Sequence, residues 1–238
     1  MIRTLLALIP VLLSAQSRFT QPDPIAFEDH TGWRQIFDGS TLHGWDGNPQ
    51  VWRVENGAIV GESSPEHPSG TTNILWTGGE PGDFELKLEI KLEGAQANSG
   101  VQYRSSRTGA RWGVKGYQAD FDYANRYSGQ LYEQASPRGI IAWRGQVVRA
   151  EQGKHPRLLA TLGDSGELKK FIRVGDWNQM LIIARGHQLI HILNGHVMAI
   201  FLDDDPAMAA SHGVIGVEIE GGGKVKVSIR EVWLKTLD

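Results

Sequence analysis

The sequence predicts an all-β protein built as a jelly-roll β-sandwich of two antiparallel sheets. Apolar and polar residues alternate strictly over 83–93, which is the pattern of a half-buried strand. Asn-Gly dipeptides at 56–57 and 194–195 supply the positive φ angles of two-residue hairpin turns. The 29 glycines and 10 prolines are spread along the chain and separate many short strands.

The turns and the remaining alternating segments define about a dozen strands. The two Asn-Gly turns join 51–55 with 58–61 and 188–193 with 196–202. A third turn at Arg185-Gly186 joins 178–184 with the strand that follows. Further alternation predicts strands over 214–220 and 224–230, and Ser165 could cap a short helical turn at 165–172. The sequence shows neither the alternation of strands and helices typical of βαβ units nor an internal repeat, and this favours a sandwich.

The N-terminus has the three parts of a secretory signal peptide over residues 1–17. Arg3 precedes an apolar run at 5–13, and small residues follow it. We therefore expect a periplasmic or secreted protein with an N-terminal arm at 18–31 and one sandwich domain at 32–238; the alternative is a short buried helix at 5–13. No stretch is long enough to predict a membrane span.

Composition and motifs exclude several classes of function. Lys plus Arg number 24 and Asp plus Glu number 27, with no long block of like charge, so a nucleic-acid partner is not expected. The chain has no cysteine, which removes disulfides, thiolate zinc sites and Cys nucleophiles. Nucleotide-binding loops, HExxH and GxSxG are absent. Only His187, His191 and His196 approach metal-ligand spacing, and ordinary histidines on hairpin strands explain them better.

Two predicted strands carry polar side chains opposite their core residues. In 116–122, Gln118, Asp120 and Asp122 share one face, and in 214–220, Glu218 and Glu220 do so. Residues two apart on a strand stand about 7 Å apart, so each strand could present paired carboxyl or amide groups to a sugar. The alternative for each is a solvated outer face.

Other candidates come from neighbouring strands and loops. Arg104 could bind an oxyanion or a carboxylate through its rigid guanidinium, or form an exposed ion pair. Tyr132 and Glu133 lie on a further strand, and the acidic triplet 203–205 predicts an exposed turn rather than a calcium loop. Three of the eight tryptophans lie near Gly-rich loops and are candidates for stacking on sugars: Trp45, Trp112 and Trp143.

Eight segments, in order, resemble the 3-keto-disaccharide hydrolase family across about residues 32–237. They are GWRQIFDGSTLHGW (32–45), VWRVENGAIVGES (51–63), DFELKLEIKL (83–92), NSGVQYR (98–104), GYQADFD (116–122), GQLYEQ (129–134), GDWNQMLIIARGHQLIHILNG (175–195) and LDDDP (202–206). The resemblance implies a concanavalin-like, glucanase-type β-sandwich and bacterial export. It also implies action on glycosides oxidised to a ketone at sugar C3.

One segment departs from the family pattern. Where members often have Gln-x-His followed by Ala/Gly-Gly-Pro-Pro, this chain has Glu218-Ile219-Glu220 and three glycines. If that histidine is a base in relatives, Glu220 replaces it with a group of lower intrinsic pKa, or the activity is altered or lost.

The implied chemistry starts from the ketone, which acidifies the hydrogen at C2 and lets the C1 oxygen leave by β-elimination before water adds. It needs a base, an enolate stabiliser and an acid. We expect Asp120 or Glu220 as base and Glu133 as acid. The expected substrate-binding residues are Arg104, Gln118, Glu218, Tyr132 and Trp143. No cofactor is expected, although a divalent cation is an alternative, with candidate ligands Asp120, Asp122, Glu133, Glu218 and Glu220.

Two other functions stay open. A conventional glycoside hydrolase needs two carboxyl groups about 5 to 9 Å apart, but the ExDxxE strand signature is absent and 89–93 reads EIKLE. A non-catalytic sugar-binding module would use the tryptophans and the polar face. All three functions have a glycoside as partner.

Overall fold

A computed structural model of the chain describes residues 26–221 and 223–237. The predicted signal peptide (1–17) and the arm up to residue 25 lie outside the described residues. Within those ranges, no helix has the length and apolar character needed to cross a membrane.

Seventeen strands and one helix are present in the described ranges, and the strands form two sheets. The ten strands of the large sheet are β1 (Arg34–Gln35), β3 (Trp52–Glu55), β4 (Ala58–Ser63), β6 (Phe84–Glu93), β11 (Gln146–Glu151), β12 (Arg157–Thr161), β13 (Asn178–Arg185), β14 (Gln188–Leu193), β15 (His196–Asp204) and β17 (Val225–Thr236). The seven strands of the small sheet are β2 (Trp45–Asp46), β5 (Thr72–Trp76), β7 (Asn98–Arg107), β8 (Val114–Asp122), β9 (Leu131–Gln134), β10 (Gly139–Ala142) and β16 (Val214–Ile219). The helix α1 spans Ser165–Lys169.

The strand orders confirm the predicted sandwich with one difference. The large sheet runs β12-β11-β15-β14-β13-β6-β17-β4-β3, with β1 also on β17, and the small sheet runs β10-β9-β8-β7-β16-β5-β2. Strand β11 pairs with β15 in parallel, whereas the prediction was antiparallel throughout. This is possible because a long connection containing β12, α1, β13 and β14 separates the two strands.

Both Asn-Gly hairpins are confirmed. Asn56 and Asn194 have φ angles of 52° and 48°, and the glycine after each is also positive, as a type I′ turn requires. In the third hairpin Arg185 pairs with Gln188, so the turn residues are Gly186-His187 rather than Arg185-Gly186. The helix is also capped one residue earlier than predicted, because the Asp164 carboxylate accepts from the N–H groups of Gly166 and Glu167.

The hydrophobic core lies between the inner faces of the two sheets. Strands β8 and β16 contribute the residues that alternation predicts: Tyr117, Ala119, Phe121, Ile215, Val217 and Ile219. Burying each large apolar side chain stabilises the fold by about 1.5–3 kcal/mol. Because these residues point inward, the polar residues between them must point to the outer face of the small sheet.

The described end of the arm packs on the outer face of the large sheet. The Lys87 ammonium donates to the carbonyl oxygens of Phe27 and Asp29. The His30 ring stacks on Trp233 with centroids 3.9 Å apart. These contacts hold residues 27–30 on the large sheet, away from the outer face of the small sheet.

Candidate functional site

A cleft of about 320 Å³ opens on the outer face of the small sheet, over β7, β8, β9 and β16. It is lined by Asn98, Gln118, Asp120, Tyr127, Gln130, Tyr132, Ile140, Glu218 and Glu220. Five of the residues predicted for the site are among them, so the structure brings together Gln118, Asp120, Tyr132, Glu218 and Glu220.

Strand register sets the spacing of the two buried carboxyl groups in this cleft. Glu218 pairs with Gly100 across β16 and β7, and Gly100 pairs with Asp120 across β7 and β8. Two interstrand spacings put the Cα atoms of Asp120 and Glu218 about 10 Å apart on the same face. Gly100 lacks a side chain between them, and the Gln118 amide fills that space: a Cβ on Gly100 would lie 2.4 Å from Gln118 Nε2.

Glu218 is 4% exposed and is held by two neutral amides. Gln118 Nε2 donates to its Oε2 at 2.6 Å, and Gln134 Nε2 donates to its Oε1 at 2.9 Å. Burial nevertheless raises the pKa of Glu218 to about 7, because desolvation disfavours the charged form more than the amides favour it. The carboxyl group can therefore gain or lose a proton near neutral pH.

Asp120 is 6% exposed and has one amide partner on its side chain, Gln130 Nε2, which donates to Oδ2 at 2.5 Å. Burial raises the pKa of Asp120 well above its usual range, and the neighbouring carboxyl groups of Glu218, Asp122 and Glu220 raise it further. Among the described side chains, no Lys or Arg forms an ion pair with Asp120 or Glu218. The two groups therefore lack a compensating cation.

The rim of the cleft is polar and aromatic. Glu220 is exposed, and its Oε2 accepts from Asn98 Nδ2 at 2.5 Å. Tyr132 is partly buried, and burial raises the pKa of its hydroxyl, so it remains a hydrogen-bond donor. Trp143 is 42% exposed and lies beside Tyr127, with ring centroids 6.2 Å apart. It is next to the cleft without lining it.

Two predicted site residues lie elsewhere, and both roles need correction. Glu133 was expected as the acid, but on β9 it points inward, between the sheets, and forms an ion pair with Arg138. Its neighbours Tyr132 and Gln134 take the outward positions. The strand was recognised correctly, but Tyr132 and Glu133, which were both expected at the site, are neighbours on it and point to opposite faces.

Arg104 also lies away from the cleft. A register irregularity interrupts the β7–β8 pairing after Tyr103, and Arg104 has a positive φ of 43°, which turns its side chain away. The buried guanidinium donates to the carbonyl oxygens of Gly82, Gly186 and Ala210 and pairs with Asp83. Four of its five N–H donors bind protein oxygens, and the side chain does not line the cleft.

Other acidic and aromatic residues have structural roles. Asp122 accepts three backbone N–H bonds from the loop 126–128, which it holds in place. Asp203, predicted in an exposed turn, is buried at the end of β15 and pairs with Arg138. Trp45 is buried and donates to the Ile36 carbonyl, so it is a core residue.

The five candidate cation ligands are not brought together. Asp122 binds a loop and Glu133 binds Arg138, which leaves Asp120, Glu218 and Glu220 in the cleft. Across 26–221 and 223–237, no group of three or more acidic or histidine side chains is arranged to hold a metal ion.

Sequence reasoning missed three polar residues that line the cleft, Asn98, Tyr127 and Gln130, and also Gln134, which donates to Glu218. All but Tyr127 lie inside the segments that carry the family resemblance, NSGVQYR and GQLYEQ. Strand alternation would have placed Gln134 with Tyr132, but Gln130 precedes β9 and its position depends on the turn before it.

Residues 32–235 match the model of the 3-keto-alpha-glucoside-1,2-lyase-like domain. The chain belongs to this family. Membership confirms the resemblance found from the sequence. It also supports a carbohydrate-active role for this domain. No curated protein is similar enough in sequence to count as a match.

Solved structures agree on the fold of this family member. A candidate glycosyl hydrolase of Parabacteroides distasonis is 19% identical with a TM-score of 0.59, over 91% of this chain and 100% of the other. The carbohydrate-binding module CBM66 of Bacillus subtilis is 15% identical with a TM-score of 0.53, over 81% and 96%. The Bacillus licheniformis β-glucanase is 8% identical with a TM-score of 0.50, over 87% and 97%. These likenesses confirm the concanavalin-like jelly-roll architecture.

Proposed function

We propose that the protein is an exported enzyme that cleaves 3-keto-glycosides by β-elimination followed by addition of water. The observation that carries the proposal is the pair of buried carboxyl groups, Asp120 and Glu218, in the cleft of a 3-keto-alpha-glucoside-1,2-lyase-like domain. Elimination next to a ketone needs one group that accepts a proton and one that donates it. Two carboxyl groups whose pKa values are raised by burial supply one of each.

Hydrogen bonding assigns the two roles. Glu218 accepts from two amides and Asp120 accepts from one, so Glu218 ionises first. Once Glu218 is charged, its field keeps Asp120 protonated. Glu218 is therefore the base that removes the C2 proton, and Asp120 is the acid. From the sequence, Asp120 was expected as a base and Glu218 as a substrate-binding residue. In this proposal Asp120 is the acid and Glu218 is the base.

The step balances as a proton transfer and a bond cleavage. Glu218 takes the C2 proton, and the electron pair of the C–H bond moves into the enolate of the C3 ketone. The enolate then forms the C1–C2 double bond as the C1–O bond breaks, and Asp120 protonates the leaving oxygen. Water adds at C1 and a proton returns to C2, which releases the 3-keto sugar.

Neutral donors at the rim serve the enolate oxygen. The Tyr132 hydroxyl and the Asn98 amide both line the cleft, and neither carries charge. A donor fixed before the reaction stabilises the developing charge more than water does, because it needs no reorganisation. Glu220, in the position where the resemblance expects a histidine, contacts Asn98 and orients it. Trp143 lies where a second sugar or other leaving group would emerge.

The test is release of the leaving group from 3-keto-glucosides and from their unoxidised parents, with and without a chelator. We expect release from the keto forms alone, unaffected by the chelator. E218Q and D120N should each lower kcat by about 10²–10⁴-fold, the usual contribution of general acid–base catalysis. Glu80 is exposed in a loop, and E80Q is the matched carboxyl-to-amide control, which should keep wild-type activity.

Other outcomes would replace the proposal. Release from the unoxidised parents would indicate a conventional glycoside hydrolase. In that case the catalytic carboxyl groups would not be Glu89 and Glu93, because these two residues lie on the large sheet and pair with Arg230 and Lys91 respectively. Retention on a glycan without any release would indicate a sugar-binding module. Loss of activity with the chelator would indicate a divalent cation. Export is tested by the N-terminus of the protein secreted by its native host, expected at residue 18.

A further inference from the structure

Beneath the cleft, a chain of hydrogen bonds runs through the core to Asp120. It begins at Tyr103 on β7, whose hydroxyl lies 2.8 Å from His191 Nε2. His191 belongs to β14 of the opposite sheet and is 1% exposed. Its other ring nitrogen, Nδ1, lies 3.1 Å from the carbonyl oxygen of Gln130. The imidazole therefore bridges the two sheets directly below the cleft.

The partners of His191 determine its tautomer. A carbonyl oxygen only accepts, so Nδ1 must carry the proton and donate to Gln130. Nε2 is then an acceptor, and Tyr103 donates its hydroxyl proton to it. Burial lowers the pKa of His191 to about 4, because the charged form would be desolvated, so the ring is neutral at physiological pH.

Gln130 connects this histidine to the cleft through both its backbone and its side chain. Its carbonyl oxygen accepts from His191 Nδ1 and from the backbone N–H of Asp120 at 3.3 Å. Its side-chain Nε2 donates to Asp120 Oδ2 at 2.5 Å. Gln130 precedes β9 and is itself 1% exposed, and its backbone N–H donates to the Tyr127 carbonyl oxygen at 3.0 Å; the bond from His191 is the one that reaches it from the opposite sheet.

We propose that His191 is a positioning residue for catalysis: it fixes Gln130 from below, and Gln130 in turn holds the Asp120 carboxyl group in the cleft. The inference rests on the proposed function of Asp120. Removing the Nδ1–H donor frees Gln130, and its amide then leaves Asp120. Because the amide stabilises the charged form, the pKa of Asp120 rises when it leaves.

We expect every other ionisable group that faces Asp120 to stay in place when His191 is changed. They are Glu218 on β16, Asp122 at the end of β8, Glu220 at the rim and Tyr132 on β9. None of them contacts His191. A change in the titration of Asp120 after substitution of His191 therefore reports the Gln130 connection.

The matched pair H191N and H191L tests this. The two new side chains are similar in size, but Asn places an N–H donor where Nδ1 was, and Leu has none. The measurement is the Asp120 titration by carboxyl-carbon NMR. We expect H191L to raise the pKa of Asp120 by about one unit and to lower kcat about tenfold, with the basic limb of the pH–rate profile moved upward. H191N should stay near wild type in both.

Two results would overturn the proposal. One is a wild-type Asp120 titration in H191L; the other is an equal shift in H191N and H191L, which would indicate general loosening of the core. Should H191L fail to fold, nitrogen NMR of wild-type His191 tests the proposal instead. The Nδ1–H tautomer is expected, and the Nε2–H tautomer would contradict the hydrogen bond from His191 to Gln130. Y103F is the stability control, expected to lower the melting temperature without moving the Asp120 titration. Neither NMR measurement requires turnover, so failure of the proposed function would show separately in the release assay.

Discussion

Two pairs of buried carboxyl groups lie on either side of the small sheet, one between the two sheets and one on the outer face, and they differ in whether a cation binds them. Glu133 and Asp203 lie between the sheets, and Arg138 binds both, at 2.7 Å and 2.9 Å. Asp120 and Glu218 lie on the outer face and contact only neutral amides among the described side chains. Removing the cation of a buried pair leaves buried charges uncompensated, whereas a buried carboxyl group that lines a cleft and has no cation is a candidate proton donor or acceptor.

Strand alternation produces this division. On β9, Glu133 points inward to Arg138 while Tyr132 and Gln134 point to the cleft. On β8, the Tyr117 hydroxyl donates to Asp203 on the inner side, while Asp120 faces outward. A shift of one residue would turn Asp120 inward on β8, or Glu133 outward on β9.

Removing the cation should have the largest effect on stability. R138M converts the inner pair into two unpaired buried carboxylates, and breaking such a pair costs about 3–5 kcal/mol. Urea denaturation at neutral pH measures the free energy of unfolding. Arg53 also binds two carboxylates, Glu55 and Glu62, but at an exposed site. The control R53M should therefore cost no more than about 1 kcal/mol. Equal losses of unfolding free energy in R138M and R53M would contradict the difference between the buried and the exposed site.

The outer pair should make stability fall as pH rises. The pKa of Glu218 rises from an ordinary value of 4.5 to about 7 on folding, so between these pH values the folded state binds more protons than the unfolded state. Its contribution is present below pH 4.5 and is lost as pH rises to about 7, a change on the order of 3 kcal/mol. E218Q removes this part of the pH dependence. Thermal denaturation across pH 4 to 8 checks it: parallel curves for E218Q and wild type would be inconsistent with a raised pKa.

Displacing the amide that supports Glu218 should have the smallest effect of the three. In G100A the new Cβ would lie 2.6 Å from Gln118 Cγ, so the amide must move off Glu218. We expect a cost of about 1–3 kcal/mol in unfolding free energy and a further rise in the pKa of Glu218, read from the pH–rate profile. Gly109 has no atom within 4 Å of an added Cβ, so G109A is the control. A wild-type pH profile in G100A would refute the role of Gln118.

Much of the fold followed from local sequence. Asn-Gly turns and the alternation of 83–93, 116–122 and 214–220 predicted the strands and which side chains face inward. These signals are local, because a turn type and a period of two depend on neighbouring residues alone. The parallel pairing of β11 with β15 and the order of strands depend on distant contacts, which periodicity does not encode.

The site was partly predictable for the same reason. Gln118, Asp120 and Glu218 lie on strands whose faces alternation assigns, Glu220 directly follows one of these strands, and all four line the cleft together with Tyr132. Arg104 was misplaced because an irregularity and a positive φ interrupt its strand, and Glu133 because β9 is short and its core face is ambiguous. Asp120 and Glu218 differ from Glu133 and Asp203 because they have no cation as a partner. Which carboxyl groups meet a cation depends on the folded chain, so the sequence pattern does not reveal it.

Hydrogen exchange at sugar C2 tests the central claim most directly. A 3-keto-glucoside is incubated with the protein in D₂O, and the released 3-keto sugar is examined by NMR. If Glu218 removes the C2 proton before the C1–O bond breaks, the product carries deuterium at C2, and E218Q releases product about 10²–10⁴-fold more slowly than wild type. Rapid release with the original hydrogen retained at C2 would contradict elimination and the assignment of Glu218 as the base.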